Sequence, residues 1–264
     1  MEGIVDIEHV NKAIVENYGK MRTRMGALAF LFPIVVVAAG YRWGIGPQPT
    51  LSDYYFADQK LLGGLGRIDI YPARLWFCGI LAIVGFFLWK YAGFSKNEDR
   101  WLNAAGTFVM GVAVFPMALG GKSDFNPFES IGLPHLSLHG VCAVLAFVCI
   151  AIVIFWYSDE TLLELKSADH VAYTKYKNVY RIIAGYMELS ITFSVVMHYL
   201  NLEQFSRIPW ILIAEASGIW AFAAYWFVKN RELAEVKRVL KGKGPPTAPA
   251  PQVGKSKADI VDAL

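Results

Sequence analysis

The chain has 264 residues, 55% of them hydrophobic, a mean hydropathy of +0.38 and a formal net charge of +3. That composition is too apolar for an ordinary soluble domain. The small net charge, with no zinc-finger spacing, phosphate-binding glycine loop or basic–aromatic stripe, argues against a nucleic-acid binder. The apolar residues come in runs of about 20, the length that crosses a hydrocarbon core of ~30 Å. Cys78, Cys142 and Cys149 all fall inside such runs and read as small packing residues, not as a disulfide framework.

Residues 1–24 predict a short amphipathic helix and not a signal peptide. Ile4, Ile7, Val10, Ile14 and Tyr18 share one face, and Lys20, Arg22 and Arg24 follow as basic anchors. Six spans are predicted next, at about 25–43, 72–89, 101–119, 134–157, 179–200 and 208–228. Pro33 lies inside the first and Pro72 opens the second. The third is rich in Ala104, Ala105, Gly106, Gly111 and Ala113, the composition of a tight helix interface. The connection over residues 45–71 is long, aromatic and rich in Gly and Pro, and is expected to be an ordered loop at the membrane surface. Residues 229–264 begin as a charged helix and end in a Pro/Ala/Gly/Lys tail expected to be disordered. The fold class is therefore all-α: an integral membrane six-helix bundle over residues 25–228, with an amphipathic N-terminal helix and a disordered tail. Lys and Arg concentrate on the side that holds both termini, so the positive-inside rule puts both termini in the cytoplasm and the protein in the cytoplasmic membrane.

This topology gathers the unusual polar residues at the outer end. Ser52, Asp53, Tyr54, Tyr55 and Arg74 come from the first connection and the start of span 2. Asp124, His135 and His139 come from the central loop and span 4, and His198 from the end of span 5. His135 and His139, four apart, would share a helix face, and with His198 and an aspartate would make a metal set holding zinc and an activated water. Haem held by His139 and His198 is the alternative. Asp53 and Asp124 are the candidate catalytic carboxylates. Arg74 reads as an ion-pair partner of Asp53 or Asp124, or as a clamp for an anionic head group. Glu188 and Glu215 lie deeper in spans 5 and 6. An ionisable group at that depth faces the bundle interior, so both are expected to line a polar pocket with Ser52, Tyr54 and Tyr55.

The succession PTLSDYY, Arg74 with FCGILAIVGFFLWKYAG, NAAG, GVAVFP, LHG and KNVYRIIAGYMEL resembles a group of uncharacterised bacterial six-span membrane proteins over most of residues 49–200. The resemblance rests on Ser52, Asp53, Tyr54, Tyr55, Arg74, Asn103, Phe115, Pro116, His139, Asn178, Tyr180 and Arg181, and implies no settled activity. A looser similarity joins the residue types, a serine, an aspartate and histidines at one end of a bundle, to the alkaline ceramidases and progestin/adipoQ-type receptors. The expectation is an outward-facing polar pocket that binds or hydrolyses a lipid-like amphipathic substrate, with or without a metal. The alternative is a non-enzymatic subunit or small-solute transporter whose polar cluster is structural. Membrane lipids are the expected partners, nucleic acid is not, and assembly with other subunits or as a homo-oligomer is left open.

Overall fold

The structure is a computed structural model that describes residues 7–55, 59–63, 66–115, 128, 137–200 and 208–242. Asp124, His135 and the expected disordered end of the tail, residues 243–264, lie outside the described residues.

Six long helices carry the fold: α1 (Ile7–Arg42), α2 (Pro72–Lys90), α3 (Lys96–Val114), α4 (Leu138–Ile152), α6 (His170–Tyr199) and α7 (Trp210–Gly242), with a short α5 (Leu163–Ala168) between α4 and α6. Each long helix packs on the next in this series, and α7 returns to α1, so the six close into a ring. Five stretches are long and apolar enough to cross a membrane: Glu16–Arg42, Ala73–Lys90, Leu138–Leu162, His170–Tyr199 and Trp210–Val236. The protein is thus an all-α membrane protein. α3 falls short of that measure because Lys96, Glu98, Asp99 and Arg100 occupy its first turns.

The expected packing of span 3 is seen at its glycines. A Cβ on Gly106 would stand 2.7 Å from the Gly85 carbonyl oxygen on α2, and one on Gly111 would stand 2.7 Å from Cys142 Sγ on α4. Such close approach is the means of helix association where lipid removes the hydrophobic drive. Outward positions are apolar: Leu75 is 76% exposed, Ile182 70% and Leu189 67%. A shell of this kind suits hydrocarbon and not water.

Three features differ from the sequence reading. The N-terminal amphipathic segment and span 1 run as one 36-residue helix, about 54 Å long at 1.5 Å per residue, because no residue between Ile7 and Arg42 breaks it. Pro33 lies in its interior without ending it. The connection after α1 contains an antiparallel hairpin, β1 (Gln59–Gly63) with β2 (Gly66–Ile70), and Gly63 pairs with Gly66. Glycine on both sides of the reversal is the local signal for it. Finally, α4 does not continue regularly through the end of span 4. It passes into a wider turn at Val153–Tyr157 and a tighter one at Ser158–Leu162. Such wide turns often mark functional positions, and this one brings Ser158 into a buried polar network described below.

Candidate functional site

One end of the ring is covered by residues 49–55, and their placement is fixed locally. Thr50 and Asp53 bond reciprocally: Thr50 N donates to Asp53 Oδ2 and Asp53 N donates to Thr50 Oγ1, each at 3.0 Å. This is a capping box for the single 3₁₀ turn Ser52–Tyr55. Two further bonds tie the segment to α7. Leu51 N donates to Glu215 Oε2 at 2.7 Å, and Leu212 N, in the first turn of α7, donates to the Pro49 carbonyl at 3.0 Å. Tyr54 is the wedge. It is 1% exposed, its ring lies against Gly40 on α1, and its hydroxyl accepts from Gln48 N at 3.4 Å.

The Tyr54 contact leaves no room for a methyl group, since a Cβ on Gly40 would come within 2.6 Å of Tyr54 Cε1. Gly40→Ala is therefore expected to cost about 1–3 kcal/mol and to displace the 3₁₀ turn. Detergent unfolding titrations beside Gly19→Ala, where a Cβ meets nothing within 4 Å, measure the difference.

The held turn presents Ser52 to α4. Ser52 Oγ lies 2.8 Å from His139 Nε2, and His139 Nδ1 lies 2.8 Å from the carbonyl oxygen of Phe115, the residue that ends α3. A carbonyl oxygen only accepts, so Nδ1 carries the proton in neutral His139 and Nε2 is the bare acceptor for the Ser52 hydroxyl. The imidazole is 3% exposed and stacks on Phe77 of α2, with ring centroids 6.3 Å apart and 21° between planes. α4 begins one residue earlier, capped by Ser137, whose Oγ accepts Gly140 N at 3.0 Å. Asp53 lies within electrostatic reach of both His139 and His198. Burial pushes its carboxyl above the usual range, while the Thr50 hydrogen bonds and the two histidines pull the other way.

Two cavities meet at Ser52. The larger, about 430 Å³, lies between α4, α6 and α7. It is lined by Thr50, Ser52, Ser137, His139, His198 and Glu215, and otherwise by mostly apolar side chains. The smaller, about 110 Å³, lies inside the ring and is walled by apolar side chains from all six long helices. Ser52, Ala143, Ile191 and Glu215 line both. The first turn of α4 also lines the larger cavity, which brings the partially positive end of a 15-residue helix to Ser52.

The other expected site residues stand as follows. Arg74 lines neither of these two cavities. Its Nε donates to the Tyr55 carbonyl at 2.9 Å, and its guanidinium lies over Tyr55 and Tyr71, 4.4 and 3.8 Å from their ring centroids. That geometry closes the loop onto α2 by cation–π contact. Tyr55 also packs edge-on against Phe77, so it and Tyr54 act as wedges, not as cavity lining. Glu188 lines neither cavity, and its Oε1 is buried without a hydrogen-bond partner. Among the described residues, no three His, Cys, Asp or Glu side chains converge to hold a metal ion. Both ring nitrogens of His139 are already engaged, by Ser52 and by Phe115. The described donors therefore do not fit the expected zinc or haem site, and no step is derived through either.

The opposite end of the ring holds a second cluster that the sequence reading missed. Lys229 and Glu232, which the sequence reading put in a charged helix after the last span, are 1% and 2% exposed. Lys229 Nζ lies 3.3 Å from Glu232 Oε2 and donates to the Ser158 carbonyl at 3.2 Å and to Thr161 Oγ1. Glu232 also accepts from the Thr161 and Tyr180 hydroxyls. Beside them Arg22 Nε donates to the Tyr91 hydroxyl at 2.8 Å, and Glu98 accepts from Phe94 N at 2.5 Å. Burial pushes the Tyr91 phenol up to about 12 and raises the Glu98 carboxyl, so Tyr91 stays protonated. Two cations and two carboxylates, all buried, thus meet at this end. Phe222, Trp226, Lys229 and Glu232 recur at helical spacing, so the buried stripe of α7 itself leads to the pair. For the chain as a whole, no family model, no curated protein and no solved structure matches.

Proposed function

We propose that this protein is a membrane-embedded serine hydrolase acting on the acyl ester or amide of an amphipathic, lipid-like substrate. Ser52 is the nucleophile and His139 the general base. The observation that carries this reading is the chain Ser52 Oγ···His139 Nε2 and His139 Nδ1···Phe115 O, both at 2.8 Å, opening on a cavity of about 430 Å³. In it a hydroxyl faces a bare imidazole nitrogen, and the second ring nitrogen is fixed by an acceptor, the arrangement that activates a serine.

The steps follow from these atoms. Ser52 Oγ attacks the substrate acyl carbon, and its proton passes to His139 Nε2. The carbonyl oxygen becomes an oxyanion beside the α4 N-terminus, whose partial positive charge favours it. Asp53 supplies negative charge near the imidazolium. Collapse breaks the bond to the leaving group, which takes the proton from His139 and departs as alcohol or amine. Water then gives its proton to His139 and attacks the acyl-Ser52 ester. Release of the acid returns the proton to Ser52.

The transporter alternative has less support, because the space beyond Glu215 is apolar and Glu188 lines neither cavity. The concentration of Lys and Arg toward the Lys229 end supports an orientation with that end in the cytoplasm and the Ser52 end outside. The substrate then enters from the outer leaflet.

The test is labelling of detergent-purified protein with an alkyl fluorophosphonate, with the adduct located by mass spectrometry. One adduct on Ser52, absent from Ser52→Ala, is the expected result. Folded protein that carries no adduct on Ser52 would overturn the assignment.

A further inference from the structure

The apolar chamber inside the ring carries a second inference, which rests on the hydrolase reading for its purpose but not for its test. Phe32, Val84, Val109, Ala146, Met187 and Phe222 wall it, one from each long helix. Among the described residues, its polar lining comes only from Ser52 and Glu215, and both also line the larger cavity. The two spaces thus adjoin at Ser52, with the polar groups of the larger cavity on one side and apolar walls on the other. A cavity of about 110 Å³ with such walls excludes water, and an apolar cavity of ~150 Å³ accepts a benzene-sized guest of six carbons.

We propose that the chamber is an acyl-chain site. It takes a short acyl chain, roughly four carbons long beyond its carbonyl by that comparison, methyl end first. Three arguments support this occupant over others. Residues of all six long helices line the space, and a guest that reaches it from the larger cavity must be thin enough to pass Ser52 and Glu215. Beyond Ser52 and Glu215 its described walls offer no partner for a polar group, and a buried amide or hydroxyl left unpaired is penalised. It is contiguous with a cavity that has histidine, serine and threonine in its walls, so the guest is apolar at one end and polar at the other. An acyl chain whose carbonyl stops at Ser52 meets all three conditions. A sterol nucleus is too large for the space. The head group and leaving group remain in the larger cavity, between α4 and α6.

Glu215 gains a role from this arrangement. Its Oε2 accepts Leu51 N, so the carboxylate holds the covering segment where chain and head group divide. It is a positioning residue, since it acts through the 49–55 segment.

The experiment uses a pentanoyl amide of a polar head group with a diazirine at the chain terminus, added to the full chain in detergent, irradiated and digested. Adducts on Val109, Met187 or Phe222, competed by excess unmodified pentanoyl amide, are expected. The same adducts are expected from Ser52→Ala, because binding does not require the nucleophile. Labelling confined to outward residues such as Leu75, Ile182 or Leu189, or to the walls of the larger cavity, would overturn the chamber assignment. Ala146→Leu should lower the chamber adducts about tenfold by filling the space, and an unchanged yield counts against the proposal. Chamber adducts in a protein whose Ser52 takes no fluorophosphonate would leave the acyl site standing and remove the hydrolase. Fluorophosphonate on Ser52 without chamber adducts would do the reverse.

Discussion

Replacing His139 with alanine slows fluorophosphonate labelling of Ser52 by about 10²–10⁴-fold, the range supplied by a positioned general base. The serine remains present and accessible in this variant, since Thr50, Asp53, Glu215 and Tyr54 hold its turn independently of the imidazole. The wild-type rate should rise with pH as the imidazole loses its proton, and that dependence should disappear in the alanine variant. His198→Ala is the control. His198 lines the same cavity and lies near Asp53 but makes no described bond to Ser52, so its removal should slow labelling by less than about tenfold. A structural tie between loop and helix predicts otherwise. Ser52→Ala and His139→Ala would then lower stability alike, and no labelling would exist to be slowed.

The second large effect lies at the far end. Lys229→Ala removes one partner from a pair that is almost wholly buried and leaves the Glu232 charge without its ion-pair partner. Breaking such a pair costs about 3–5 kcal/mol, whereas replacing both partners with apolar residues of similar size is often neutral or better. The prediction is therefore a pattern across three variants. Lys229→Ala and Glu232→Leu each unfold at markedly lower denaturant concentration in detergent. The double variant Lys229→Met with Glu232→Leu recovers most of the loss, apart from the share owed to the Tyr180 hydroxyl, which loses its acceptor, whereas Thr161 keeps the Ser158 carbonyl. Additive losses in the double variant would mean that the two residues act separately. The pair joins α7 to Ser158 and Thr161 beyond α4 and to Tyr180 on α6, so its rupture loosens the seam between these helices without touching Ser52.

Helix length and composition made the six-helix architecture legible, because hydrocarbon imposes both on the sequence. The gathering of polar groups at one end was legible for the same reason: ionisable residues in apolar runs have few places to go. Ser52 and His139 were both within view, and the resemblance included Phe115 as well. Their connection was not visible, because it depends on a backbone carbonyl at the end of α3 and on a turn fixed by Thr50 and Asp53. The histidine spacing suggested a metal, yet His139 has both ring nitrogens engaged with oxygen atoms. Asp53 read as a catalytic carboxylate because its type and depth fit. The structure also uses it to cap a turn, and the spacing Thr50-x-x-Asp53 is the signal for that role. Lys229 and Glu232 fell in the charged helix that follows the last predicted span, and nothing singled them out. Their partners Ser158, Thr161 and Tyr180 are distant in sequence, and only the continuation of the Phe222–Trp226 stripe hints at burial.

The most direct measurement of the central claim is the intact mass of the chain after brief incubation with a short-chain activated acyl ester, for wild type beside Ser52→Ala. The account predicts a single acyl group on Ser52 that builds up quickly and decays as water hydrolyses it, with none at that position in the variant. A folded wild-type chain that acquires no acyl group on Ser52, or acquires the same adducts as Ser52→Ala, would contradict it.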